Sequence, residues 1–159
     1  MTPLTDRTRR LVDRLFAAND RYQASAYCQT PQNLLPVQFE IDHIVPSSSD
    51  QREDLCLSCP TCNRFKGSKV EAVDEVTGQV VRLFHPRQQR WDEHFVWSRD
   101  GLRIIGRTAI GRATATTLRL NHDWWMPCRA DWVLRGDFPP SMALSDTATD
   151  LRSEVSPRE

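Results

Sequence analysis

Residues 39–69 read FEIDHIVPSSSDQREDLCLSCPTCNRFKGSK, and three kinds of chemistry fall there within one loop's reach of each other. Phe39-Glu40-Ile41 is a short strand by alternation and β-branching, closed by Asp42-His43. Pro46 and the cluster Ser47-Ser48-Ser49-Asp50 break that strand into a loop. Leu55-Cys56-Leu57-Ser58 predicts a second short strand. Cys59-Pro60-Thr61-Cys62 is a CxxC turn, and Asn63-Arg64-Phe65-Lys66 opens a helix directly after it. Strand, loop, strand, helix is a ββα unit, with an acid and an imidazole on one side and an amide and a lysine on the other.

The chain around this unit has 159 residues, which suits one domain with a helical extension. Apolar residues make up 39%, so the core is modest and a metal staple would help it. The formal charge is zero, and total charge therefore gives no support to a nucleic-acid partner. Its distribution does more. Residues 37–58 carry Glu40, Asp42, Asp50, Glu53 and Asp54 against Arg52 alone, while residues 82–112 carry seven arginines against Asp92, Glu93 and Asp100. An acidic, cation-attracting pocket beside a basic face fits that pattern, and so do solvated surface arginines. No apolar run approaches the roughly 18 residues of a membrane span, and the N-terminus has no apolar signal core. The expectation is a cytoplasmic protein with no membrane partner. In a reducing compartment five cysteines, at 28, 56, 59, 62 and 128, point to metal binding more than to disulfides.

Residues 4–21 place Leu11, Val12, Leu15 and Phe16 at helical spacing among Arg7, Arg9, Arg10 and Arg14, which predicts a docked N-terminal helix over 1–20. Cys28 follows at a distance from Cys59 and Cys62 that suits a zinc knuckle pairing an early turn with a later one. The fourth ligand is missing. Ser25 stands where a second CxxC would want a cysteine, and serine is a poor zinc ligand. Cys56 can complete the set in principle, yet a strand residue between Leu55 and Leu57 is more often packed as a small hydrophobe. Beyond Lys69, Val73–Val81 predicts a hairpin around Thr77-Gly78. Trp91–Trp97 places aromatics at alternating and helical spacings both, which suits core packing. Arg103–Gly106 predicts a strand, Thr108–Asn121 a helix with Ile110, Ala113, Leu118 and Leu120 inward, and Asp123–Leu134 a last helix. Residues 136–159 form an expected disordered tail, Ser/Thr/Asp-rich from Ser141.

Phosphodiester hydrolysis needs a base for the water, a cation for the charge on the phosphorane, and help for the leaving oxygen. Asp42 offers a hard oxygen ligand and Asn63 an amide oxygen. His43 suits the base. A regular strand would send Asp42 and His43 to opposite faces, whereas at a strand end both can turn toward one cleft. Lys66 is one helical turn from Asn63 and in reach of a bound phosphate, with Arg64 and Lys69 for neighbouring phosphates.

Asp-His at a strand end, some twenty residues, then CxxCN and a lysine three further on: the combination resembles the HNH endonucleases, also called His-Me finger or ββα-metal nucleases. It is similar to the small bacterial HNH proteins, whose later segments match Leu83-Phe84, Pro86-Arg87, Trp91, His94-Phe95, Trp97, Thr108, Ile110–Thr114, Leu118 and Asn121. The likeness spans roughly residues 21–135. It implies an α+β fold: a ββα-metal core with zinc-knuckle turns, an N-terminal helix, and a C-terminal hairpin plus helices. It implies a nuclease acting on DNA, with His43 activating water, Asp42 and Asn63 holding Mg²⁺ or a similar ion (Mn²⁺, Ni²⁺, Zn²⁺), and Lys66 meeting phosphate. Two positions depart from the family. Its loop-supporting asparagine falls at Asp54, which accepts hydrogen bonds but cannot donate amide ones and adds negative charge near the phosphate. Ser25 replaces the first zinc cysteine. Both favour the rival reading, a degenerate HNH module that binds nucleic acid or a protein partner without cutting. A purely structural zinc module would leave Asp42-His43 unexplained.

Overall fold

The computed structural model describes residue 10, residues 24–46 and residues 52–139. The helix expected over 4–21 lies outside them apart from Arg10, and so does the expected tail from residue 140 onward. Strands β1 (Glu40–His43) and β2 (Leu55–Ser58) pair antiparallel, with Glu40 opposite Ser58 and His43 opposite Leu55. Ile44 N–H donates to Asp54 C=O at 2.9 Å, closing the intervening loop on the short 3₁₀ turn Arg52–Asp54. Helix α1 (Pro60–Lys66) starts earlier than Asn63. Cys59 caps it by accepting from Cys62 N–H, Pro60 sits in the first turn where its missing N–H costs nothing, and Gly67 ends it at φ +53°. The CxxC is thus a cap and first helical turn, on an α+β frame of mixed helices and small antiparallel strands.

Behind this unit lie two more hairpins, β3 (Glu71–Val73) with β4 (Val80–Arg82) and β5 (Phe95–Trp97) with β6 (Ile104–Gly106). The double periodicity of Trp91–Trp97 resolves as both alternatives in turn, a helical turn α2 (Trp91–His94) running straight into β5. Helix α3 (Ala109–Thr117) is capped by the Thr108 hydroxyl and packs on β6. The approach is tight: a Cβ at Gly111 would strike the His94 carbonyl, and one at Gly106 the α3 backbone. Helix α4 (Trp125–Leu134) follows.

The core behind the ββα unit is aromatic. Phe84 meets Phe95 edge-on at 5.2 Å, Trp91 stacks on both Phe95 and Trp97, and Trp97 meets Phe138 at 4.7 Å. Phe138 is 3% exposed, and Asp137 N–H donates to Trp132 C=O. Packing continues past residue 135, where Phe138 supplies a ring to the Trp97–Trp132 cluster. Trp91 Nε1–H donating to Tyr27 C=O and Arg87 Nε–H donating to Leu55 C=O, both at 2.9 Å, tie this region to the front.

Candidate active site and metal centre

Strand β1 stays regular to its last residue, and that decides where the Asp-His pair points. His43 pairs with Leu55, so the alternation of faces persists: Asp42 is 3% exposed and His43 is exposed. The two side chains leave β1 on opposite faces instead of turning into one cleft. Asp42 faces α1, and both its oxygens are engaged there. Tyr27 Oη–H donates to Oδ2 at 2.7 Å, and Lys66 Nζ donates to Oδ1 at 3.2 Å and lies 3.1 Å from Oδ2. Burial, with Cys56 and Asp42 beside it, pushes the Tyr27 phenol far above its usual range, so it stays a donor. Burial likewise pushes the Cys56 thiol up to about 12, Asp42 adding to the effect. Cys56 Sγ lies 3.8 Å from both the Tyr27 hydroxyl and Asp42, away from the other buried cysteines.

Lys66 is 1% exposed, and its ammonium also donates to His43 C=O at 3.1 Å. It braces the Asp-His backbone from inside, with Asp42 as the carboxylate that compensates its burial among the described residues. Asn63, one turn earlier on α1, donates from Nδ2 to Glu40 Oε2 at 2.6 Å. Glu40 and Asp42 therefore share the face of β1 that α1 covers, Glu40 meeting Asn63 and Asp42 meeting Lys66. Glu40 was legible from its place two residues before Asp42, and only the helix crossing reveals its partner. Arg64 and Lys69 are exposed near the end of α1, Lys69 Nζ donating to Phe65 C=O. The half-buried Asp54 ends the 3₁₀ turn, with its carbonyl on Ile44 N–H.

The arginines of residues 82–112 are largely occupied with the protein itself. Arg112 grips the buried Asp74 through two bonds of 2.9 and 2.8 Å, Arg107 donates to Asp92 C=O, and Arg90 pairs with Asp92. A cleft of about 190 Å³ between the Ala24–Gln29 turn, β2 and residues 84–91 contains none of Asp42, His43 or Asn63.

Cys28, Cys59 and Cys62 do come together. All three are fully buried, with sulfurs within 4.8 Å of one another, and they are the one trio of His, Cys, Asp or Glu among the described residues that is arranged to hold an ion. Cys28 sits on a turn closed by Ser25 N–H donating to Thr30 C=O and docked on β2 by Ala26 N–H donating to Leu57 C=O. Burial raises the Cys28 thiol, but hydrogen bonds from Cys59, Cys62, Ser25 and Thr30 outweigh it and hold the group well below its usual range. Its bond to Cys28 raises Cys59 to about 12, and bonds to Cys28 and Cys59 hold Cys62 well up. Three soft sulfurs shielded from water suit Zn²⁺ and do not suit Mg²⁺.

A CxxCN helix start packed on an Asp-His strand is the decisive arrangement, and the family comparison agrees with it. Residues 26–69 match the HNH endonuclease family model. Comparison with curated proteins and with solved structures returns no match. The HNH segment runs from the Cys28 turn through β1, β2 and α1, leaving Ser25 just ahead of it and all of β3–α4 beyond it. HNH proteins are in general nucleases that act on DNA with divalent metals, and this segment carries that suggestion to the chain. No helix among the described residues is long and apolar enough to cross a membrane.

Proposed function

We propose that the chain is a metal-dependent endonuclease that hydrolyses DNA phosphodiester bonds, with His43 activating the attacking water. The observation behind this reading is how His43 is held within the HNH segment. Its backbone is fixed twice, by pairing with Leu55 and by Lys66 Nζ on its carbonyl, while the imidazole stays exposed. An imidazole carried on a backbone so fixed can take a proton from a water beside this strand end. Asp42 and Asn63 are the ligands we assign to a catalytic Mg²⁺-like ion, which would supply positive charge to the phosphorane and the leaving oxygen; because Asp42 and His43 leave β1 on opposite faces, this requires the end of β1 to turn so that both reach one phosphate. Asp42 can take part only if Lys66 or Tyr27 gives up an oxygen, so the ion competes with a buried ammonium and binds weakly. Arg64 and Lys69 are assigned to flanking phosphates. A reducing, cytoplasmic setting fits the free cysteines.

One observation favours the second reading, a module that binds nucleic acid or a protein partner without cutting: both Asp42 oxygens are already engaged. Plasmid incubated with Mg²⁺ or Mn²⁺ separates the two. Metal-dependent nicking by the native chain, abolished in a folded His43→Ala variant, is expected. DNA retention by both proteins with cleavage by neither selects the binding module.

A further inference from the structure

Ser25 is fully buried, and its hydroxyl is the acceptor for Cys59 N–H at 3.0 Å. Ser25 stands on the same turn as Cys28, closed by Ser25 N–H donating to Thr30 C=O and Gln29 N–H donating to Ser25 C=O. Ser25 therefore bridges the two turns that carry the sulfurs, the place a fourth ligand has to fill. The rest of the cluster has the matching form: Cys28 and Cys59 sulfurs are 3.7 Å apart, and Cys59 Sγ accepts from Cys62 N–H at 3.4 Å. Cys56 is not available, since it faces Tyr27 and Asp42. Thr30, also buried, has its hydroxyl 3.3 Å from Cys28 Sγ and is the rival oxygen, but no bond links it to the Cys59 turn.

The surrounding charge points the same way. Arg129 is 0% exposed, and its guanidinium donates to the carbonyls of Leu102 and Leu120 and to Asn121 Oδ1, with no carboxylate partner among the described residues. It lies 5.4 Å from the Trp97 and Trp125 rings, and burial lowers its pKa to about 10, the neighbouring Cys28, Cys62 and Cys59 working against that shift. A divalent ion on three thiolates and a neutral hydroxyl leaves one net negative charge, which a single buried guanidinium balances. Four thiolates would leave two.

We propose that Ser25 Oγ is the fourth corner of a metal site whose other corners are the sulfurs of Cys28, Cys59 and Cys62, making an oxygen-capped, readily exchanged Zn²⁺ centre at the base of the HNH segment. A neutral hydroxyl binds Zn²⁺ less tightly than a thiolate, so the ion leaves faster than from four sulfurs. This inference does not depend on the nuclease reading, and its measurements do not involve cleavage.

The full chain, purified without chelators, is expected to carry zinc by total metal analysis. Ser25→Cys should slow zinc loss to a chelator by roughly tenfold or more, and Ser25→Ala should speed it. With Co²⁺ in place of zinc, Ser25→Cys should strengthen the sulfur-to-metal absorption by about a third, as a fourth thiolate joins three. Thr30→Val, the control, should leave the Co²⁺ spectrum unchanged. Loss rates and spectra insensitive to both Ser25 changes, in variants with native circular dichroism, would overturn the assignment. So would a spectrum that responds to Thr30→Val instead, or the absence of zinc from both the native chain and Ser25→Cys.

Discussion

Within residues 26–69 the interior pairs Phe39, Ile44, Leu55 and Leu57 with many hydrogen-bonding groups: a phenol, a carboxylate, an ammonium and four thiols, at Tyr27, Asp42, Lys66, Cys28, Cys56, Cys59 and Cys62. From residue 83 onward it is dominated by rings, at Phe84, Phe95, Trp97, Trp125, Trp132 and Phe138 with Trp91 packed against them, beside the aliphatic Leu83, Ile104, Leu118 and Leu120. The contrast follows from element size. Two four-residue strands and a seven-residue helix have too little apolar surface to exclude water by themselves, so specific partners hold them. The rear region has more elements, and its aromatic rings bury large areas without needing matched partners. Polar interiors fail when one partner is removed. Aromatic ones fail in proportion to the cavity.

Lys66→Met tests that difference most strongly. It leaves the Asp42 charge buried and is expected to cost about 3–5 kcal/mol in denaturant unfolding, much of it recovered when Asp42→Asn is added. Phe95→Ala should cost a similar ~3–5 kcal/mol through its cavity, with no single partner change restoring it. Equal losses for Lys66→Met with and without Asp42→Asn would break the comparison. Tyr27→Phe, which keeps the ring and removes one bond to a charged acceptor, should cost about 1.5–3 kcal/mol by the same measurement.

The smallest effect is an acid one at Asp74, buried between β3 and β4. Its carboxylate is held below the usual range by the Arg112 guanidinium, with Thr77 and the Val76 N–H adding to this. A carboxylate depressed in the folded state contributes stability that is present above the unfolded value of about 4, and loses it as pH falls through the folded value. Stability should therefore decline on acidification below about pH 4, and Arg112→Gln should flatten that decline in a pH series of thermal melts.

Alternation and turn residues suffice to read β1, β2, the Thr77-Gly78 hairpin, β6 and the last two helices, and thiol spacing suffices to single out Cys28, Cys59 and Cys62. Trp91–Trp97 carries two periodicities because the chain uses both, and a local pattern cannot tell a mixture from an ambiguity. The positions of Lys66 and Phe138 were hidden for another reason. A lysine in a helix and a phenylalanine after Gly136 look exposed until the carboxylate or ring cluster that receives them is folded.

The sequence by itself determined which groups the HNH-matching segment carries: an imidazole, a carboxylate, an amide and three sulfurs, each on a nameable element. Tertiary structure decided their partners. A regular β1 turned Asp42 inward to Lys66 and left His43 outside, and the docking of the Ser25–Thr30 turn on β2 brought a serine hydroxyl to Cys59. Spacing along a chain sets which groups can meet. Which of them do meet depends on how elements far apart in sequence cross, because each buried polar group must find its partner there.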